Sequence, residues 1–205
     1  LSPKQLFFDW YVLMNTPTAT PLPPLKDAIC GVEAKLLHSH GDQRGFFREI
    51  VRANEPVFSG GNFGQWSHSK MQKNVVKAWH YHHVQFDWWY VPFGKVQTVL
   101  FDDRPESPTY RTKLVFKMGE TAKYGPDVFE VCVRIPPGVL HGCKVLSKEA
   151  HLFYITSVTY DPNEEGRFPF DQGPKGLKHR WGKNVIVADN DRRHFVPTST
   201  RVLLA

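Results

Sequence analysis

Long apolar runs are missing from this 205-residue chain. No stretch of about 18 hydrophobic residues occurs, so no bilayer-spanning helix is predicted and no membrane partner is expected. Cysteine is scarce: Cys30, Cys132 and Cys143 form no C-x-x-C pair, and their odd number excludes full pairing. Each sits in an apolar run, so buried free thiols in a reducing, cytoplasmic compartment are expected. No repeat of solenoid period exists, and no long segment carries a 3.6-residue apolar period, which argues against a helical bundle. Blocks of positive charge are missing too. The net charge is +6, but Lys and Arg are scattered without a nucleic-acid recognition pattern. That balance suits a small anionic ligand such as a nucleotide diphosphate, and no nucleic acid. The apolar segment Leu6–Met14 contains Asp9 and lacks both a basic flank and a small-residue cleavage site, so it does not read as a secretory signal.

What the chain has in quantity is short β-type runs between turn residues. Hydrophobic residues make up 41% and aromatics 14%, ample for a packed core. Strands are predicted at Gly31–His38, Gly45–Arg52, Gln65–Ser69, Val75–His82, Trp88–Phe93, Val96–Phe101, Arg111–Lys117, Val128–Ile135, Leu140–Val145 and His151–Tyr160. About ten strands at such spacing imply an all-β barrel or sandwich with only short helical pieces, one near Ser2–Met14, and a turn after Pro162. Residues 15–27 are rich in Pro and Thr and read as an extended linker. The division is therefore an N-terminal arm and linker over 1–27 and one domain over 28–205. Trp66, Trp88 and Trp89 are expected in the core.

Two stretches carry chemistry. Trp79-His80-Tyr81-His82-His83-Val84-Gln85-Phe86-Asp87, closed by Gly94, reads H-x-H, four residues, Asp, six residues, Gly. Pro136-Pro137-Gly138-Val139-Leu140-His141 reads P-x-G-x-x-H. Together they resemble the two signature motifs of the cupin superfamily, which implies a jelly-roll β-barrel. Alternate residues of a strand share a face, so His80 and His82 point one way and Tyr81 the other. Inward faces converge in a small barrel, which would bring His80, His82, Asp87 and His141 together as a set suited to a first-row divalent metal. His83 and Gln85 read as loop residues.

Further elements narrow the resemblance. Asp42-Gln43-Arg44-Gly45-Phe46-Phe47-Arg48-Glu49 resembles the D-x-R-G-x-F-x-E element of the dTDP-4-dehydrorhamnose 3,5-epimerase family. Gln65–Ser69 resembles its Q-x-N-x-S, with Ser67 where Asn is usual. Val76–His80 resembles its V-x-R-G-x-H, with Lys77 and Ala78 in place of Arg and Gly. Asp102–Thr109 resembles D-x-R-x-x-S-P-T, and Pro136–Gly142 resembles P-x-G-x-A-H-G. Leu152-Phe153-Tyr154 and Tyr160–Gly166 complete the series. Seven elements in order, over about Ile29 to Asp191, make a specific signal.

The resemblance implies an epimerase that inverts a carbon next to the ketone of a nucleotide-linked 4-keto-6-deoxy hexose. It needs no cofactor and works as a homodimer sharing strands or side chains, in cytoplasmic polysaccharide or secondary-metabolite synthesis. By the same resemblance His80 is the base, Asp191 its orienting carboxylate (with Asp189 as competitor), and Tyr154 the acid on the opposite face. Arg44, Glu49, Gln65, Lys77, His141 and Glu165 match positions that hold the nucleotide sugar. A salt bridge around the Gly45 turn accounts for Arg44 and Glu49 equally well.

One position departs. The resemblance leads one to expect a Lys that steadies the enolate oxygen, and this chain has Asp87. A carboxylate would repel that charge. A divalent metal on His80, His82, Asp87 and His141 would restore positive charge, yet it would occupy the histidine needed as base. Two alternatives therefore stand beside the epimerase: a metal-binding cupin isomerase, lyase or dioxygenase, and a non-catalytic sugar-nucleotide binding module.

Overall fold

The computed structural model describes residues 25, 28–59 and 61–198. The expected helix at Ser2–Met14 and, apart from Leu25, the Pro-rich linker lie outside the described residues. The first eight strands are β1 (Glu33–Leu36), β2 (Ser39–Asp42), β3 (Gly45–Arg48), β4 (Gln65–Gln72), β5 (Val75–His82), β6 (Asp87–Phe93), β7 (Lys95–Asp102) and β8 (Lys113–Gly119). After a single helical turn, α1 (Thr121–Tyr124), come β9 (Val128–Phe129), β10 (Val131–Ile135), β11 (Val139–Val145), β12 (Glu149–Thr156), β13 (Glu165–Arg167) and β14 (Ile186–Val187). A 3₁₀ turn at Asp189–Arg192 follows.

Two sheets face each other. One is ordered β1–β10–β6–β12–β4, the other β13–β5–β11–β7–β8–β9, with β14 beside β5. The cupin-type all-β barrel expected from the motifs is the fold observed. Strands pass between the sheets at corners. At Gly94 the chain leaves β6 for β7 with φ of +84°, and a Cβ there would meet the Glu149 carbonyl oxygen at 2.3 Å, so only glycine makes this corner. The run Val128–Ile135, expected as one strand, is broken at Glu130. β9 pairs with β8 in one sheet and β10 with β6 in the other. Among the described residues the hairpin β2–β3 pairs only with itself, and the strand expected over Gly45–Arg52 ends at Arg48.

The core between the sheets follows from alternation. Val131, Val133 and Ile135 of β10, Trp89 and Val91 of β6, and Cys143 and Val145 of β11 all turn inward and are buried, joined by Leu25 and Ile29. A second cluster lies outside β5, where Val76, Ala78 and Trp79 are covered by Leu177 and Trp181 of the C-terminal segment. A third packs Trp88 and Cys132 under Leu37, Val57 and Phe58. Trp88 and Trp89 are buried as expected. Trp66 is not: it is 66% exposed on the outer face of the edge strand β4. Cys30 also departs from expectation, being exposed in the turn before β1, whereas Cys132 and Cys143 are buried. Burial pushes their thiols up, to about 12 and about 11.

β5 is irregular where it matters. Opposite β11 it pairs His80 with His141 and Lys77 with Cys143, three residues against two. Ala78 and Trp79 therefore both turn outward into the second cluster. The extra residue puts Lys77 on the same inner face as His80 and His82, which strict alternation would forbid.

Candidate active site

At one end of the barrel the inward positions change from apolar to polar. Along β6, Trp89 gives way to Asp87. On β11, Cys143 gives way to His141, and on β12, Leu152 to Tyr154 and Thr156. Together with Gln65, Lys77, His80, His82, Gln85, Tyr160 and Glu165, these residues line a cavity of about 200 Å³. Of the expected substrate-binding residues, Gln65, Lys77, His141 and Glu165 are here. Arg44 and Glu49 are not, because their hairpin stands off the sheets. Each is instead held in a local salt bridge, Arg44 with Asp42 at 2.5 Å at the Gly45 turn and Glu49 with Arg52 at 2.5 Å.

His80 Nε2 lies 2.7 Å from Asp191 Oδ1, although 111 residues separate them. A carboxylate can only accept, so Nε2 carries the proton and Nδ1 the lone pair. β14 runs parallel to β5, Val187 beside Val76, and the following 3₁₀ turn lowers Asp191 onto the ring. Asp191 is buried and its competitor Asp189 exposed. On the other side, His80 Nδ1 is 3.8 Å from Glu165 Oε1, and Glu165 is itself paired with Arg167. Tyr154 faces the same cavity from the opposite sheet. Burial raises its hydroxyl above the ordinary phenol value, against a hydrogen bond from Ser67.

Deeper in, His141 Nδ1 donates to the Val139 carbonyl at 3.1 Å, leaving its Nε2 lone pair 3.7 Å from Asp87 Oδ2. Burial pushes the His141 imidazole down to about 3, outweighing the attraction of Asp87. Asp87 accepts from Gln85 Nε2 at 2.7 Å and from Trp89 Nε1 at 3.1 Å. Gln85 Nε2 also reaches His82 Nε2 at 3.2 Å. The four-residue metal set is not assembled as a whole: His82, Asp87 and His141 converge, all buried, while His80 is turned to Asp191.

The profile of a family described as dTDP-4-dehydrorhamnose 3,5-epimerase matches residues 26–197. The chain belongs to that family. This makes it a member of a family of sugar-nucleotide epimerases. It is similar to the spore coat polysaccharide biosynthesis protein SpsL of Bacillus subtilis, 40% identical over 152 residues, 73% of this chain and 95% of that one. The probable low-salt glycan biosynthesis epimerase Agl13 of Haloferax volcanii is 31% identical over 144 residues, 68% of this chain and 87% of that protein. Among solved structures, the dTDP-6-deoxy-D-glucose-3,5-epimerase of Legionella pneumophila, in complex with dTDP-4-keto-L-rhamnose, superposes with a TM-score of 0.67 at 27% identity, covering 78% of this chain and 84% of that one.

Three members of this epimerase-family site escaped sequence reasoning. Gln85 lies in the loop between β5 and β6, as expected, but it is buried there and links His82 to Asp87. Glu164, only 2% exposed, accepts the backbone N–H groups of His83 and Val84 at 2.8 and 2.7 Å and so fixes the turn after β5. Arg167 neutralises Glu165. The Glu164-Glu165 pair before Gly166 was the available signal for the last two, since an acid buried beside a site needs fixed donors.

Proposed function

We propose that the chain epimerises a nucleotide-linked 4-keto-6-deoxy hexose, with a thymidine diphosphate sugar as the first substrate to test. His80 removes the proton next to the ketone, Asp191 holds its tautomer, and Tyr154 delivers a proton to the opposite face. The observation that carries this is the 2.7 Å His80–Asp191 pair opening onto the cavity that Tyr154 faces from the other sheet. With Nε2–H committed to Asp191, Nδ1 is the basic atom, and the Asp191 carboxylate stabilises the imidazolium that forms. Gln65, Lys77, His141 and Glu165 hold the sugar. No cofactor is needed for the proton transfers themselves. The homodimer implied by the resemblance belongs to the same proposal: the hairpin that carries Arg44 leaves Phe46 and Phe47 each 64% exposed, apolar surface of the kind a second subunit covers.

The test is solvent deuterium incorporation at C3 and C5 of dTDP-4-keto-6-deoxyglucose. Wild type is expected to exchange and invert. His80→Ala should exchange at background rate, while Tyr154→Phe should still exchange but lose inversion. Undiminished exchange in His80→Ala would show that the base is another residue.

A further inference from the structure

The inner end of the cavity gathers three acceptors. His141 gives its only proton to Val139, so its Nε2 lone pair points inward. His82 Nε2 faces an amide N–H of Gln85, so it too is an acceptor. Asp87 completes the group, and the ligand atoms all lie within 4.8 Å of one another. All three residues are more than nine-tenths buried. A lone pair 3.7 Å from a carboxylate, out of water, is repulsive unless a cation lies between them. The basic side chains nearby are committed elsewhere, Lys77 to Ser69 at 2.7 Å and Arg167 to Glu165.

We propose that His82, Asp87 and His141 form a binding site for a first-row divalent cation, and that His80 is not one of its ligands. Two imidazole nitrogens and a carboxylate are a donor set such ions take readily. Donors each ~2.1 Å from an ion sit at most ~4.2 Å apart, and ~3.4 Å apart at a tetrahedral angle, so the group contracts on loading. Gln85 then releases His82 and keeps its bond to Asp87, orienting the carboxylate from outside. His80 is left out because its Nδ1 lone pair, 3.8 Å from Glu165 Oε1, is not among the atoms that converge with Asp87. The role of the site, though not its existence, rests on the proposed epimerase: a bound divalent ion would supply positive charge at the position where the resemblance leads one to expect a lysine.

The test is a Co(II) titration of the chelator-treated full chain, followed by its visible d–d absorption and by metal analysis. The expected result is saturation at about one Co(II) per chain, abolished in Asp87→Ala and retained in His80→Asn. Absence of saturable Co(II) uptake by wild type overturns the site. Loss of uptake in His80→Asn equal to that in Asp87→Ala overturns the three-residue set in favour of one that includes His80. Should Asp87→Ala fail to fold, the wild-type titration and His80→Asn still decide. Uptake without deuterium exchange in the metal-loaded chain upholds the site and overturns the epimerase proposal. Full exchange in protein that takes up no Co(II) does the reverse.

Discussion

His80 has one proton to place and two nitrogens on which to place it, and Asp191 makes the choice. An amide at position 191 could present either its oxygen or its NH₂ to Nε2, and the second arrangement moves the ring proton to Nδ1, the atom proposed as base. Asp191→Asn is therefore expected to lower kcat by about 10²–10⁴-fold, as tautomer-fixing carboxylates do elsewhere, with KM nearly unchanged because Asp191 bonds the His80 ring from behind and does not itself line the cavity. Steady-state kinetics beside a thermal melt separates this from a folding defect. At this scale legibility was uneven. His80, His82 and Asp87 stand out because their spacing is local. Asp191 was reachable only through the family resemblance, since nothing within the chain links two residues 111 positions apart, and Asp189 was as good a carboxylate until burial distinguished them. Trp66 and Cys30 went the other way: residue type predicts burial only when the strand has a covered face, and β4 is an edge.

The element that positions the site is β5, and its irregularity depends on a close approach by β11. A Cβ on Gly142 would meet Ala78 Cβ at 2.6 Å, the Lys77 carbonyl oxygen at 3.0 Å and Trp181 Cζ2 at 3.1 Å. All three belong to the packed seam behind the bulge, so none can withdraw freely. Gly142→Ala is expected to cost about 1–3 kcal/mol, read as a fall in Tm of about 2–4 °C per kcal/mol. Activity should fall as well, because the same strand pair sets His141 opposite His80. The bounds of β5 were legible as Val75–His82, where apolar and polar residues alternate between turn signals. Its bulge was not, because alternation assigns Lys77 and His80 to opposite faces and only pairing with β11 shows the extra residue. The break at Glu130 was hidden for a related reason: both halves of Val128–Ile135 alternate correctly, and which sheet each joins is a property of the partner strands.

Across the whole molecule, the barrel closes around groups whose charge states are fixed by burial, and this sets its behaviour in acid. Asp102, fully buried at the end of β7, would be raised by burial alone. Bonds from Arg104, Ser107 and Thr109 outweigh that and hold it at about 2, below its ordinary 3.8. The same cage reaches the turn before β1, since Arg104 Nη2 donates to the Cys30 carbonyl at 2.6 Å and the Cys30 N–H donates to Thr109 at 2.8 Å. His141 shifts in the opposite chemical sense but with the same consequence. Held neutral by burial down to about 3, it takes no proton in the folded state where the unfolded chain takes one near 6.5. Both groups have depressed folded values, so each contribution is complete above its unfolded pKa and is lost as pH falls below it. The His141 loss runs from about pH 6.5 toward 3 and the Asp102 loss from about pH 3.8 toward 2, the latter on the order of 2 kcal/mol. Chelator-treated protein should therefore lose Tm in two stages, a long decline beginning near pH 6.5 and a steeper one below pH 4. His141→Asn should flatten the first stage while lowering Tm at neutral pH. Asp102→Asn should remove the second, since its side chain no longer titrates. A melt series from pH 7.5 to 2.5 that shows no decline between 6.5 and 4.5 would mean that His141 is already charged in the fold, paired with Asp87 as an imidazolium.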